Sequence, residues 1–240
     1  MIKFFRKIRQ NVLSEGNTGK YLKYAIGEIV LVVIGILIAL QINNWNEERK
    51  LNNRINSVFT IIKSDLISDI ETIDKVVNSA AYKDSIIKKV LSKDLTYDDY
   101  INCQECHSYL FGFPDITLNN RGIKLLESNS SNFNSQPDDL SISIIKFYNY
   151  FNIEIDVATK EITKDFDNNY SYFKNEKTWF EDYITGEKND DFIKYALTST
   201  DYRNRVVSFD MLYLEIYLGH LKQYKENALV LIENIKEEVK

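Results

Sequence analysis

The chain has 240 residues, a formal net charge of −5 and 13% aromatic residues. Two His and two Cys are too few for most metallohydrolase sites. Glycine-rich phosphate loops and the G-x-S-x-G and H-E-x-x-H patterns are absent from the sequence. The acidic balance disfavours nucleic acid as a partner. Composition and motifs therefore favour a non-enzymatic protein without a metal site.

Residues 25–42 form an apolar run in which Glu28 lies near one end. At a rise of about 1.5 Å per residue, such a helix can cross a hydrocarbon core of roughly 30 Å. Aromatic residues suited to the membrane interface flank the run: Tyr21, Tyr24 and Trp45. We therefore predict a transmembrane helix over residues 21–45. The alternative, a buried core helix, would need protein against every face.

Charge predicts the orientation of this helix. Residues 1–23 carry a net charge of +5, which leaves −10 for the remaining 217 residues. The positive-inside rule then places the N-terminus in the cytoplasm. A cleaved signal peptide is the competing interpretation, but the run continues into residues 41–45, QINNW, without an A-x-A-like cleavage site. An uncleaved, single-pass signal anchor fits better.

Residues 1–20 precede the span as a basic amphipathic segment. Its apolar residues lie along one helical side: Ile2, Phe5, Ile8 and Val12. Such a helix can lie in the headgroup layer, with membrane lipid as its partner. The alternative is a frayed basic tail that only sets the topology.

The basic start and the segment KYLKYAIGEIVLVVIGILIALQINNWNEERK resemble the opening of a known protein family. It is an uncharacterised family, a domain of unknown function, of short single-span membrane proteins from Gram-negative bacteria. The resemblance is specific over residues 1–55. Further residues resemble the family's middle segment, although the usual run around Gly122 is only partly kept: Pro114, Thr117, Gly122 and Leu126. The resemblance implies placement in the bacterial envelope, and it supplies no activity. Together with the orientation that the charges predict, it favours a single-pass protein of the inner membrane with residues 46–240 in the periplasm.

Apolar residues at steps of three and four continue beyond the span. They are Leu51, Ile55, Val58, Ile62, Leu66, Ile70, Ile73, Val77 and Ala80. Since neither Gly nor Pro occurs between Ile36 and Phe111, the spanning helix is predicted to continue out of the bilayer, with a candidate break near residues 79–82.

Three further helices are predicted. One covers residues 140–166, a shorter one covers residues 166–184 and ends near Gly186, and the most regular covers residues 207–239. The apolar stripe of the last helix is too broad for a free two-stranded coiled coil. We therefore predict an all-α fold, in which the N-terminal transmembrane helix continues into a periplasmic antiparallel helical bundle. Residues 94–139 form its irregular connector.

The motif CQECH in the connector contains Cys103, Cys106 and His107. A disulfide between the two cysteines suits an oxidising periplasm. C-x-x-C-H is also the attachment pattern of c-type haem, with His220 or Met211 as a possible second axial ligand. A redox-active dithiol is a third interpretation. A zinc site would need a fourth ligand that the sequence does not place nearby.

Four polar residues fit positions 1, 3, 5 and 12 of a calcium loop: Asp165, Asp167, Asn169 and Glu176. Position 6 is Tyr170, where the sharp turn of such a loop requires Gly. These residues are therefore predicted to cap the start of the helix over residues 166–184 instead.

Glu28 is an ionisable group inside the predicted span, which makes it a candidate functional residue. It lies about one turn inside the cytoplasmic edge, where it can reach headgroups or a neighbouring span. Gly27, Gly35 and Ala39 share one face, and Gly35-x-x-x-Ala39 permits close approach of a second helix. These four residues are the predicted membrane-helix contacts, and a homo-oligomer is the expected assembly.

Three functional hypotheses follow. The first is a non-enzymatic, membrane-anchored scaffold or sensory subunit that contacts itself or another envelope protein and has no cofactor. The second is a membrane-tethered electron carrier with haem c at Cys103, Cys106 and His107. The third is a single-span subunit of a proton-driven energy-coupling complex, in which Glu28 would carry the proton.

Overall fold

The structure of the protein is a computed structural model that describes residues 18–107, 110, 112–130 and 139–239. Every regular element in these ranges is helical, so the predicted all-α fold class is confirmed at that level. The antiparallel order and the periplasmic placement of the helices stay predictions. The surface helix predicted over residues 1–20 lies almost entirely outside the described residues.

The first helix, α1, covers Thr18–Ser92, while the chain as a whole divides into two compact units, residues 1–55 and 56–240. Within the first unit, an 18-residue window of α1 has a mean hydropathy of 2.6, and none of that window is buried. Among the described helices it alone is long and apolar enough to cross a membrane, by length and composition.

In the second unit, α1 buries the apolar side chains that its spacing predicts. The buried members of the stripe are Val58, Ile62, Leu66, Ile73 and Ala80. The candidate break near residues 79–82 does not occur, because no Gly or Pro interrupts this part of the chain. The helix ends where Lys93 takes a left-handed φ of 65°.

The connector predicted over residues 94–139 is irregular only in part. It contains α2 over Tyr97–Ile101, a 3-10 helix over Gln104–His107 and α3 over Arg121–Ser130. A capping box between Thr96 and Asp99 starts α2, since each side chain bonds the backbone N–H of the other residue. Residues 112–120 are not helical.

One helix, α4, covers Asp139–Glu176, where two had been predicted. The predicted helix start near residue 166 is therefore wrong. The next helix, α5, covers Phe180–Thr185 and ends at Gly186, whose left-handed φ of 78° suits a residue without a Cβ. The predicted end at this glycine is confirmed.

The C-terminal part consists of α6 over Asp190–Thr198, α7 over Thr200–Phe209, a π-helix over Asp210–Tyr217 and α8 over Leu218–Glu238. Side chains of Asn189 and Ser199 cap the starts of α6 and α7. α4 packs against the π-helix and α8. The predicted final helix is thus present, with a π-helical stretch that the apolar spacing did not indicate.

Candidate functional site

Two carboxylates lie in the apolar core of the second unit. Asp65 and Asp69 are one turn apart on α1 and are only 6% and 2% exposed. A spacing of four residues places both on the same helical face, which is also the face that carries Ile62 and Leu66. A buried carboxylate requires hydrogen-bond donors. The donors to Asp65 and Asp69 therefore show which parts of the chain bind to this face of α1.

Asp69 accepts hydrogen bonds from two distant parts of the chain. The backbone N–H and the side-chain amide of Asn119 donate to its Oδ1 at 3.0 and 2.7 Å, and the Tyr224 hydroxyl of α8 donates to its Oδ2 at 2.6 Å. Burial raises the pKa of Asp69, although these hydrogen bonds act in the opposite direction. Asp69 therefore joins α1, α8 and the residues before α3.

Asp65 holds the start of α3. Its Oδ2 accepts the backbone N–H of Gly122 at 2.8 Å, and Arg121 approaches its Oδ1 at 3.4 Å. The backbone comes so close here that a Cβ on Gly122 would lie 2.6 Å from Cγ1 of Ile62 and 2.9 Å from its backbone N. Only glycine fits this approach without displacing α1.

The residues that precede Gly122 are also held at their N-terminal end, by side chains of α1 and the π-helix. Lys83 donates from Nζ to the carbonyl oxygen of Gly112, and its ammonium lies 5.8 and 5.6 Å from the ring centroids of Phe209 and Tyr213. Burial lowers the pKa of Lys83. The Tyr217 hydroxyl donates to the carbonyl oxygen of Pro114 at 3.0 Å.

Residues 112–122, which we call the tethered segment, are thus fastened at both ends by side chains from α1 and the π-helix. A groove of about 480 Å³ lies between this segment and α4. Its lining residues are Asp115, Ile116, Thr117, Leu118, Asn120, Asn152, Ile155, Asp156 and Thr159. The volume is within the range of about 300–1,000 Å³ that is usual for ligand pockets.

The buried carboxylates and the groove have different chemistry. The carboxylate oxygens of Asp65 and Asp69 accept hydrogen bonds from other groups of the chain, and these bonds fix the tethered segment. The groove presents hydroxyl, amide and carboxylate groups to solvent. The described ranges contain no cluster of three or more His, Cys, Asp or Glu that could hold a metal ion. The arrangement is a solvent-open groove, one wall of which is held in place by the buried carboxylates.

The raised pKa of Asp69 gives an expected pH dependence. Its folded-state pKa lies above the ordinary 3.8, so the folded protein binds this proton more readily than the unfolded chain does. As the pH rises from about 3.8 through the folded-state pKa, the free energy of unfolding of the unchanged protein should fall relative to that of Asp69→Asn. Above the folded-state pKa, the difference between the two free energies should stay constant. Urea unfolding of both proteins across pH 3 to 7 measures this. A pH-independent difference would contradict it.

Cys103 and Cys106 are joined by a disulfide in the structure. The Nε2 of His107 lies 2.9 Å from the carbonyl oxygen of Tyr100, and its ring packs against the rings of Tyr100 and Phe192. Haem attachment would need both sulfurs and this nitrogen, all of which have partners within the chain. As arranged here, the motif does not fit haem and instead pins a turn beside an aromatic cluster.

The other candidate haem ligands lie on different elements. His220, on α8, places Nε2 3.7 Å from a carboxylate oxygen of Glu154 on α4, and Met211 is half-exposed on the π-helix. In the part of the chain that the structure describes, no hydrogen bond, ion pair or ring contact joins either residue to Cys103, Cys106 or His107.

The predicted membrane-helix contacts lie in the exposed first part of α1. Gly27 and Gly35 have no atom within 4 Å of the place where a Cβ would stand, Ala39 is exposed, and Glu28 is half-exposed. The residues present a surface along this helix, and their role in contacts between spans stays a prediction.

The calcium-loop residues lie inside α4, with no loop around them. Asp165 accepts hydrogen bonds from Asn169 at 2.9 Å and from Ser208 of α7 at 2.7 Å. Arg205 of α7 donates to Asn169 at 2.7 Å. The prediction that these residues cap a helix start is therefore wrong, because they lie within one continuous helix, and Asp165 and Asn169 join it to α7.

Sequence reasoning missed Asp65, Asp69, Lys83, Tyr217 and Tyr224. One signal was available for the two acids. Asp65 and Asp69 lie three and seven residues after Ile62, in phase with the apolar stripe. An acidic residue on the buried face of an amphipathic helix indicates a buried partner. The partners themselves were not predictable, since they lie 50 to 155 residues away.

Residues 28–172 match the family of unknown function DUF6090, and this range includes most of the exposed span, the tethered segment and most of α4. No curated protein and no solved structure matches the chain.

Proposed function

Because the chain belongs to the DUF6090 family of unknown function, we propose its role from its own contacts: it is a non-enzymatic, membrane-anchored helical module that presents a binding surface to an envelope partner. The observation that carries this proposal is the contrast between the two units. An apolar helix leaves its whole surface uncovered, while the body encloses its buried carboxylates with donors of its own.

The uncovered helix supports the anchoring role. Apolar side chains stand exposed on every side of α1 from Leu22 to Trp45, including Leu31 and Leu37 at 62% and 59% exposure. An apolar surface of this length in water would be strongly unfavourable, and a bilayer covers it. The charge difference between residues 1–23 and the rest of the chain supports an N-terminus in the cytoplasm and a body in the periplasm.

The body supports a binding role over a catalytic one. The buried carboxylates of its described residues, Asp65 and Asp69, hold the tethered segment in place. The fixed segment in turn forms one wall of the groove. A fixed wall lowers the entropic cost of binding a partner.

Membrane fractionation tests the anchoring. The full chain should float with membranes after alkaline carbonate extraction, whereas a variant that lacks residues 22–45 should stay in the soluble fraction. Release of the full chain by carbonate would contradict the proposal.

A further inference from the structure

One wall of the groove is a backbone edge. Four consecutive residues of the tethered segment, 115–118, line the groove. Exposure alternates along these residues, since Asp115 and Thr117 are exposed, Ile116 is half-buried and Leu118 is buried, as expected of an extended chain. Within the described residues, the backbone groups of Asp115 and Thr117 have no hydrogen-bond partner. The backbone of Ile116 bonds to Tyr217, and the carbonyl oxygen of Leu118 accepts from the Asn120 side chain. An open backbone edge of this kind can pair with an added strand.

The wall is fixed before any partner arrives. Lys83 and Tyr217 hold one end of the tethered segment through the carbonyl oxygens of Gly112 and Pro114. Asp69 and Asp65 hold the other end through backbone N–H groups of Asn119 and Gly122. The backbone edge is therefore preorganised, and a partner does not have to order it.

The opposite wall is polar and acidic. From α4 it presents Asp156 and Thr159 around the buried side chain of Ile155, while the amide of Asn152 donates to Asn120 of the tethered segment at 3.0 Å. The charged side chains that line the groove are Asp115 and Asp156, both acidic. Asp156 accepts a hydrogen bond from Lys160 at 2.6 Å, but both side chains are more than half exposed, so this pair is weak and exchangeable.

From this geometry we propose that the groove binds an extended peptide segment with basic side chains, supplied by a partner protein. The inference rests on the proposed function and names the chemistry of its partner. The peptide backbone pairs with the backbone groups of Asp115 and Thr117, and its Lys or Arg side chains face Asp115 and Asp156. Uncharged side chains of the peptide pack toward Ile155.

Fluorescence anisotropy on the full chain in detergent micelles tests the proposal with three labelled probes. The first is Val-Lys-Val-Lys-Val, the second is Val-Glu-Val-Glu-Val, and the third is the first peptide with N-methylated backbone amides. The lysine peptide should bind saturably and about tenfold or more tightly than the glutamate peptide. N-methylation should weaken its binding by a factor of about 2 to 10, because it removes backbone donors.

Two substitutions on α4 should change the affinity in opposite directions. Asp156→Asn removes a carboxylate and should weaken the lysine peptide about threefold, whereas Lys160→Ala frees Asp156 and should tighten it about twofold. Glu161→Gln is the matched control, since Glu161 is an exposed acid of the same helix outside the groove lining, paired with Lys164 at 3.6 Å. It should leave the affinity unchanged.

Several results would overturn the proposal. They are the absence of saturable binding, equal binding of the lysine and glutamate peptides, and equal effects of Asp156→Asn and Glu161→Gln. Lysine amide that competes as well as the peptide would assign the groove to a small cation instead. Reconstitution of the same preparation in lipid vesicles tests membrane anchoring independently of peptide binding. Flotation with the vesicles would keep the anchored module even if no peptide binds.

Discussion

Gly122→Ala should destabilise the second unit by about 2 kcal/mol or more. The added methyl group would lie 2.6 Å from Cγ1 of Ile62 and 2.9 Å from its backbone N and Cα. A flexible side chain can move away from such a contact, but a helical backbone cannot move without disturbing its own hydrogen bonds. The start of α3 would then separate from α1, and the hydrogen bond from Gly122 N–H to Asp65 would lengthen.

Gly219→Ala is the matched control. Gly219 also lies in a helix, α8, but nothing lies within 4 Å of the place where its Cβ would stand. Alanine there should stabilise the protein by up to about 1 kcal/mol, since glycine is the poorer helix former. Urea unfolding of the full chain, followed by circular dichroism, measures both variants. Equal shifts of the same sign would show that the close approach at Gly122 is absent.

Asp69→Ala should lower the free energy of unfolding by about 3 kcal/mol, a loss similar to that expected for Gly122→Ala. It would leave the backbone N–H of Asn119 and the hydroxyl of Tyr224 without their acceptor inside the core. Each buried donor without a partner costs about 1–3 kcal/mol. Asp69→Asn keeps one oxygen acceptor and removes the buried charge, so its loss should be smaller.

Asp74→Ala is the control on the same helix. Asp74 accepts a hydrogen bond from Lys225 at 2.5 Å, but its side chain is 44% exposed. An exposed ion pair contributes about 0–1 kcal/mol. The midpoint of thermal unfolding in detergent should therefore fall clearly for Asp69→Ala and little for Asp74→Ala. Similar midpoints for the two variants would contradict the buried fastening by Asp69.

Local sequence patterns predicted α1 and the final helix, but not α2, α3 and α6. The apolar run at residues 25–42 appears in the structure as the exposed first part of α1. The stripe that includes Ile62 and Leu66 appears as a buried face further along the same helix. Gly186 ends a helix as predicted. These features depend on composition and on spacing over a few residues, so a single sequence contains them.

The tethered segment could not be predicted in the same way. Its fastening joins Asp69 to Asn119 and Tyr224, which are far apart along the chain. Hydrogen bonds at such separations leave no periodic signal. The missed continuity of α4 has a related cause, because Asp165 and Asn169 resemble capping residues but bond to α7 instead.

The candidate site also combines a feature that a local pattern indicates with one that only tertiary packing creates. The CQECH motif was visible as a pattern, and its cysteines and histidine are occupied by contacts within the chain. The groove was not visible, since its lining comes from the tethered segment and from α4. A surface made of two separated stretches is set by tertiary packing.

Sidedness of the body in the membrane tests the central claim most directly. The full chain can carry one short tag at each terminus, and a protease can be added to intact spheroplasts. If residues 22–45 cross the membrane with the body on the periplasmic side, as proposed, the C-terminal tag should be digested while the N-terminal tag is protected. Digestion of the N-terminal tag with protection of the C-terminal tag would contradict this proposal.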